Sequence, residues 1–252
     1  MKTWRGRSGA GAETGERQRR PAGFWASATA PLVYVNMPKS GCTTVKNLLY
    51  RIDSGGWLDD PLTIHGRPEL MVHWKAQPEA IERRLKTDVV FTFVRHPLKR
   101  AYSCFNEKIH FISIYGFGKV RQFIARRYGA EFVDAPPLEL HRENFKRFLR
   151  FSQESVDRVN GMRRDPHWSP QTTVLAGSDR WRRPDVIGKV ERFDAGMAAV
   201  LGLAGVARDF ETPRMNEGPP PPWGYEEVVD DEIRDLGARL FAEDLRAFGY
   251  EI

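Results

Sequence analysis

The alternation of apolar and polar residues first forms a recognisable unit at residue 32. Leu32–Val35 is a short apolar run of the kind that forms a buried strand. A polar turn that contains one glycine follows at residues 36–44. Apolar residues then return at the spacing of one helix face, at Val45, Leu48, Leu49 and Ile52. The pattern therefore predicts a strand, a turn and a helix in this order.

The same order of elements occurs twice more along the chain. Val89–Val94 has the composition of a second buried strand, and Pro97 then suits the first turn of a helix predicted over residues 98–110. A third strand is predicted at residues 185–191, followed by a helix over residues 194–203. Strands that alternate with helices indicate an α/β fold, with a central parallel sheet and helices on both faces.

The remaining segments are predicted to be helical or irregular. Residues 117–165 have a helical pattern with breaks at Gly129, Pro136-Pro137 and Gly161. The proline-rich residues 213–223 predict a loop, and residues 226–248 predict one last helix. Residues 1–22 are rich in glycine and arginine and have little apolar content, so we expect a flexible basic tail. Residues 23–252 then form a single domain.

Composition narrows the class of protein. Hydrophobic residues make up 41% of the 252 positions, which is ordinary for a globular chain and too high for a disordered one. No apolar run approaches ~18 residues, so we expect no membrane-spanning helix. Cys42 and Cys104 are the two cysteines, which are too few for a disulfide framework or a zinc signature. We therefore expect no metal site and a reducing, cytoplasmic location.

The net charge of +6 is unevenly distributed along the sequence. Most of it lies in residues 1–22, while residues 119–164 are basic and residues 226–251 are acidic. A basic surface suits anionic ligands, although each arginine of the middle segment could equally lie on a solvated helix face. No recognised nucleic-acid-binding motif accompanies the charge, so we expect no nucleic-acid partner.

The turn after the first strand has the chemistry of a phosphate site. Backbone N–H groups at the start of a helix point toward an anion, and the helix dipole favours negative charge there. Gly41 permits close approach of the backbone, Ser40, Thr43 and Thr44 offer hydroxyl donors, and Lys39 offers a mobile positive charge. An ordinary helix cap is the alternative reading of this segment taken alone. The NTPase loop Gly-x-x-x-x-Gly-Lys-Ser/Thr is absent, which disfavours ATP-dependent phosphoryl transfer.

The segment Pro38-Lys39-Ser40-Gly41-Cys42-Thr43-Thr44 resembles the 5′-phosphosulfate loop of sulfotransferases that use 3′-phosphoadenosine-5′-phosphosulfate (PAPS). The Pro-Lys-x-Gly-Cys-Thr form is similar to that of Golgi carbohydrate sulfotransferases of the human-natural-killer-epitope and chondroitin 4-O type. This resemblance implies a P-loop-like sulfotransferase fold. It also implies that Pro38, Cys42 and the other residues of the loop bind the donor nucleotide.

A second motif resembles the family's 3′-phosphate site and covers residues 93–103. Arg95 stands at a predicted strand end and Ser103 lies further along the helix that follows, so the two could hold one phosphate by a forked charge-assisted contact and a hydroxyl. A surface ion pair is the alternative for Arg95. Arg100 could assist with the phosphate or support the structure. His96 stands where the family usually has aspartate, which leaves the role of that aspartate open.

Three further blocks extend the resemblance. Residues 165–171 and 185–191 are similar to the family's downstream "HWxPQ … IGKxE" block in order and spacing. Residues 242–250 are similar to its C-terminal helix. The resemblance therefore covers roughly residues 30–252.

The resemblance also implies catalytic roles. Lys39 would stabilise charge on the leaving phosphate of the donor, and a histidine would accept the proton of the acceptor hydroxyl. His65 is similar in position to the base histidine of heparan-type sulfotransferases, and His167 is the second candidate. Trp168 could stack on a sugar ring or pack in the core.

The sequence thus predicts an O-sulfotransferase that uses PAPS, releases 3′-phosphoadenosine-5′-phosphate (PAP) and sulfates a glycan without a metal. Two rival functions use the same features. A kinase-like phosphotransferase would require ATP and Mg²⁺, and a nucleotide- or polyanion-binding module would bind without turnover and lose its ligand in salt.

Overall fold

The computed structural model describes residues 23–252 apart from four gaps, at 112–116, 180, 208–210 and 212–219. The predicted tail at residues 1–22 and most of the predicted loop at residues 213–223 lie outside the described residues. Among the residues described, no helix combines the length and the apolar character needed to cross a bilayer.

A five-stranded sheet forms the centre of the fold. Its strands are β1 (Phe24–Ala26), β2 (Leu32–Val35), β3 (Val72–His73), β4 (Val89–Val94) and β5 (Val186–Lys189). They lie in the order β3-β1-β2-β4-β5. The strands β2, β4 and β5 are parallel neighbours, whereas β1 pairs antiparallel with both β2 and β3. The predicted parallel sheet is confirmed for β2, β4 and β5, and β1 and β3 extend it with antiparallel pairing.

Helices account for most of the remaining described residues. They are α1 (Cys42–Ser54), α2 (Thr63–Gly66), α3 (Pro78–Thr87), α4 (Pro97–Cys104), α5 (Gly118–Tyr128), α6 (Leu138–Asp157), α7 (Gln171–Asp179), α8 (Phe193–Leu203), α9 (Tyr225–Val228), α10 (Asp231–Leu240) and α11 (Ala242–Phe248). A π-helical turn at Phe105–His110 continues α4, and short 3₁₀ turns lie at Pro68–Leu70 and Val190–Arg192.

The two faces of the sheet are covered by different helices. Side chains alternate along a strand, so Leu32 and Tyr34 of β2 join one apolar cluster while Val33 and Val35 join another. The first cluster includes residues of α1 and α8, and the second includes residues of α3 and α7. Helices on both faces of the sheet were predicted, and this arrangement is confirmed.

A third apolar cluster is built almost entirely from helices. It joins α4 and the π-helical turn to α5, α6 and α10, and aromatic rings fill much of it. Gly129 ends α5 in a left-handed conformation, and α6 begins after Pro137, as the breaks in the sequence pattern predicted.

Two helix predictions are wrong in detail. The single helix predicted over residues 226–248 is three helices, because the Asp230 carboxylate caps α10 by accepting from the Ile233 N–H at 2.9 Å and the chain bends again at Phe241. The helix predicted over residues 98–110 is α-helical only to Cys104 and continues as the π-helical turn. Apolar spacing does not distinguish an α-helix from a π-helix over so few residues.

Phe93 of β4 requires two glycines beside it. A Cβ atom added at Gly188 would lie 2.4 Å from Cε1 of Phe93, and one at Gly196 would lie 2.9 Å from the same atom. The Phe93 ring also stacks on Phe193 with ring centroids 4.6 Å apart. The glycine of the "IGKxE" block therefore makes room for a core ring that packs β5 and α8 against β4.

We expect Gly188→Ala to lower the free energy of unfolding by about 1–3 kcal/mol, because the ring or the strand must shift. Gly202→Ala is the matched control, since nothing lies within 4 Å of a Cβ at this position in α8. That control should be neutral or slightly stabilising. Urea denaturation of both variants measures the difference, and equal effects would refute the crowding at Phe93.

Candidate active site

The loop between β2 and α1 has the backbone geometry of an anion site. Lys39 and Gly41 both have left-handed backbone conformations, with φ of 65° and 73°. Such a φ is uncommon for a residue that carries a Cβ, as Lys39 does. Gly41 is the N-cap of α1, and no side chain caps the helix. The N–H groups of the first turn of α1 are therefore not engaged by a capping side chain, which suits them to binding an anion.

The side chain of Gln171 joins the loop to the end of β4. Its Oε1 accepts hydrogen bonds from Ser40 Oγ at 3.2 Å and from the Arg95 N–H at 2.9 Å, while its Nε2 donates to the Arg95 carbonyl at 2.9 Å. Asp244 of α11 in turn accepts from the Gln171 N–H at 2.8 Å. Gln171 and Asp244 are both fully buried. The Ser40 hydroxyl, predicted as a phosphate donor, is thus engaged within the protein.

Arg100 supports the loop rather than offering its charge to a phosphate. The side chain is fully buried. Its Nε donates to the Pro38 carbonyl at 2.9 Å, and its terminal nitrogens donate to the carbonyls of Ser169 and Pro166. Of the two roles open for Arg100 in the sequence, the supporting role is the one that the structure shows.

Arg95 and Ser103 lie on consecutive elements of the second motif. Arg95 follows the end of β4, is half-buried, and has a terminal nitrogen 3.5 Å from the Lys39 carbonyl. Ser103 is half-buried on α4, and no hydrogen bond between the two side chains is present in the described structure. His96, in place of the usual aspartate, caps α4 by accepting from the Lys99 N–H at 3.4 Å. The Glu191 carboxylate accepts from the His96 N–H at 2.8 Å.

Two charged residues that the sequence did not single out stand beside Lys39. The Lys39 ammonium donates to the Glu107 carboxylate, which also accepts from Lys108 at 2.7 Å. Both Glu107 and Lys108 belong to the π-helical turn after α4. A π-helical turn carries one extra residue per turn and is common at functional sites. It brings two charges to the loop that regular helical spacing would not have predicted.

The electrostatics of Glu107 follow from these partners. Burial would raise the pKa of its carboxyl, but the charges of Lys39 and Lys108 and their hydrogen bonds outweigh burial and lower the pKa to about 2. Glu107 is therefore a carboxylate at neutral pH, and it compensates the positive charge of Lys39 in the protein as it stands.

His65 faces the same loop from α2. Its Nε2 lies 2.8 Å from the Thr43 hydroxyl. Burial, together with the positive charges of Lys46 and Lys108, lowers its pKa to about 4. The imidazole is consequently neutral near pH 7 and can accept a proton.

His167 is a second histidine at this site, close enough to His65 to contribute to lowering the pKa of His65. Its Nδ1 lies 2.6 Å from the Asp165 carboxylate, which fixes the orientation of the ring. Trp168, next to it, is buried in the helical cluster, where its Nε1 donates to Ser155 Oγ at 3.1 Å. Trp168 is therefore a core residue and does not present its ring for stacking on a sugar.

The structure thus brings most of the predicted site residues together. The loop, Arg95, His65 and His167 gather where the carboxyl ends of β2 and β4 meet, the usual ligand edge of an open parallel sheet. Cys42 and Thr44 are half-buried in the first turn of α1, and Pro38 is buried below it. The described residues contain no group of three or more histidine, cysteine, aspartate or glutamate side chains placed to hold a metal ion. Catalysis without a metal stays a prediction.

Comparison with known proteins identifies relatives of this chain. Carbohydrate sulfotransferase 11 of Rattus norvegicus is 27% identical over 195 residues, which cover 72% of this chain and 53% of the relative. Carbohydrate sulfotransferase 14 of Homo sapiens is 30% identical over 179 residues, which cover 67% of this chain and 43% of the relative. The chain spans about half the length of the curated relatives it matches. No solved structure matches it significantly.

The family model described as "Sulfotransferase family" matches residues 22–251, which is nearly the whole chain and includes both phosphate motifs and the downstream blocks. With that match, and with the two motifs brought to one edge of the sheet, the protein belongs to the sulfotransferase family.

Proposed function

We propose that this protein transfers a sulfuryl group from PAPS to a hydroxyl group of a carbohydrate. One observation supports the proposal most directly. The uncapped start of α1, with Lys39 beside it, lies next to Arg95 at the end of the neighbouring parallel strand. Two separate cationic positions of this kind suit a nucleotide with phosphates at both its 5′ and 3′ positions.

The donor would bind across the two strand ends. Its 5′-phosphosulfate would accept hydrogen bonds from the backbone of the loop 38–44, with the Thr43 and Thr44 hydroxyls close by. Its 3′-phosphate would bind Arg95 and Ser103. Lys39 would leave Glu107 and contact the oxygen that bridges phosphorus and sulfur.

The reaction is a single in-line displacement at sulfur. The acceptor oxygen forms a new S–O bond while the bond from sulfur to the bridging phosphate oxygen breaks, and its electron pair stays on PAP. The ammonium of Lys39 stabilises the charge that develops on this leaving oxygen. The hydroxyl proton passes to the Nε2 of His65, so atoms and charges balance without a further reactant.

His65 is the preferred base because it is neutral and stands beside the loop. Its Nε2 lies 2.8 Å from the Thr43 hydroxyl, and the acceptor hydroxyl would take the place of this contact. His167 remains the second candidate, since the Asp165 carboxylate orients its ring and leaves Nε2 as the proton acceptor. Carbohydrate is the proposed acceptor because the relatives of this chain are carbohydrate sulfotransferases.

We expect the chain to bind PAP without metal at least about tenfold more tightly than AMP, measured by calorimetric titration. Arg95→Ala should remove most of this preference and leave AMP binding nearly unchanged, because only the 3′-phosphate contact is lost. ATP with Mg²⁺ is the comparison for a kinase. Equal binding of PAP and AMP, or tighter binding of ATP, would reopen the rival functions.

We expect Glu107→Gln to bind PAP more tightly, by roughly three- to tenfold, or about 1 kcal/mol. The reason is that Glu107 holds Lys39 and adds negative charge beside the phosphate loop. Glu79→Gln, at an exposed position of α3, is the control for a general change in net charge. Weaker binding by Glu107→Gln would instead mean that this carboxylate keeps Lys39 in its binding position.

We expect His65→Ala to reduce PAP release from PAPS in the presence of carbohydrate acceptors by about 10²–10⁴-fold, with PAP affinity unchanged. His167→Ala should have the smaller effect. With a pKa of about 4, His65 is deprotonated above that pH, so on the acid side turnover of the wild type should be maintained until the pH drops toward 4. An acid limb well above pH 5, together with an active His65→Ala variant, would assign the base to His167.

A further inference from the structure

Lys46 of α1 is a buried cation without a counter-charge. The residue is only 3% exposed, and its ammonium makes no hydrogen bond or ion pair with any described residue. Its one described attractive contact is with the ring of Trp25, whose centroid lies 3.9 Å from Nζ. Buried lysines are almost always paired, because an uncompensated charge in the interior is costly. A cation in this state is suited to a ligand that carries the missing negative charge.

The position of Lys46 directs this charge toward the candidate active site. Helical side chains point back toward the N-terminus, so the stem of Lys46 runs over the first turn of α1. After burial, Lys46 has the largest effect on the pKa of His65. The ammonium therefore lies on the side of α1 that faces both the phosphate loop and the candidate base.

Lys46 differs in this respect from the other two lysines of the site. Lys39 and Lys108 both donate to Glu107, whose single negative charge offsets one of their two positive charges. Burial lowers the pKa of Lys46 to about 8, so its ammonium form still predominates at pH 7. At neutral pH it is thus a positive charge near His65 that no described carboxylate balances.

We propose that Lys46 binds the sulfuryl oxygens of PAPS and holds this group in line between Lys39 and His65. The inference rests on the proposed function. In the displacement, sulfur exchanges the bridging phosphate oxygen for the acceptor oxygen, while the three outer oxygens keep their negative charge throughout. Lys39 stabilises the leaving oxygen and His65 accepts the proton, while Lys46 balances the negative charge of the sulfuryl group that is transferred. Trp25 supports the ammonium from the opposite side.

The test compares PAPS with PAP, which differ by the sulfuryl group alone. Lys46→Met keeps an unbranched apolar stem and removes the charge. At pH 7 we expect it to bind PAP within about twofold of the wild type and PAPS about tenfold or more weakly, by calorimetric titration. Acceptor-independent hydrolysis of PAPS should fall as well. Lys46→Arg, which keeps the charge, should retain part of the affinity for PAPS.

Folding of the variant can be checked independently of binding. Removing an unpaired buried charge should leave Tm unchanged or raise it, so Lys46→Met is expected to be folded. Lys75→Met is the matched control, because Lys75 also lies over a tryptophan, at 5.5 Å from Trp74, but is exposed. It should bind both nucleotides as the wild type does.

The outcomes separate this inference from the proposed function. If the wild type fails to bind PAP, the proposed function fails. If the wild type binds both nucleotides and Lys46→Met loses affinity for both equally, Lys46 belongs to the nucleotide site and the inference is overturned. Unchanged affinity for both, with weaker binding only of a uronate-containing polysaccharide relative to its carboxyl-reduced form, would also overturn it, since the anion would then belong to the acceptor.

Discussion

The geometry of the candidate active site depends on the buried side-chain amide of Gln171. Gln171 offers both of its polar atoms to segments that follow two different strands, and it holds Ser40 and Arg95 at a fixed separation. A buried polar side chain of this kind is stable only when its hydrogen bonds are made. The spacing between the two candidate phosphate positions is thus fixed by a network in the interior, and their distance does not depend on flexible surface contacts.

The charges of the site are balanced in two different ways. Lys39 and Lys108 share the carboxylate of Glu107, so this part of the site is partly neutralised before any anion arrives. Lys46 is accommodated instead by the face of an aromatic ring. An incoming anion must therefore displace an internal carboxylate at one place and can approach an uncompensated cation at another. This asymmetry would favour one orientation of a ligand whose two ends differ in charge.

The parts of the fold that could be predicted from the sequence are those with local signals. The apolar runs of β2, β4 and β5 and the glycine-containing turn before α1 lie in continuous segments, and each is where the pattern predicted it. The strands β1 and β3, of three and two residues, are too short for alternation to show. Their position is decided by pairing with each other and with β2, which is tertiary information.

The candidate site was predictable to the same extent. Lys39, Arg95 and His65 lie in motifs with a recognisable order. Glu107 could not be identified from the sequence, because it reaches the loop through a π-helical turn and no periodicity of the sequence predicts that turn. Lys46 resembles an ordinary polar position on an amphipathic helix until its burial is known. Long-range contacts of this kind follow from packing, which a single sequence does not encode in any local pattern.

The order of the contacts along the chain has a consequence for biosynthesis. The residues proposed to bind the donor are all present by position 103, but the side chains that hold Ser40 and Arg95 in place come later, from Gln171 and from Asp244, which accepts from the Gln171 N–H at 2.8 Å. During translation the early motifs leave the ribosome well before these partners are made. A nascent chain would therefore have an incomplete nucleotide site. It would be able to bind a donor only after α11 has packed against α7 and Asp244 has formed its hydrogen bond with Gln171.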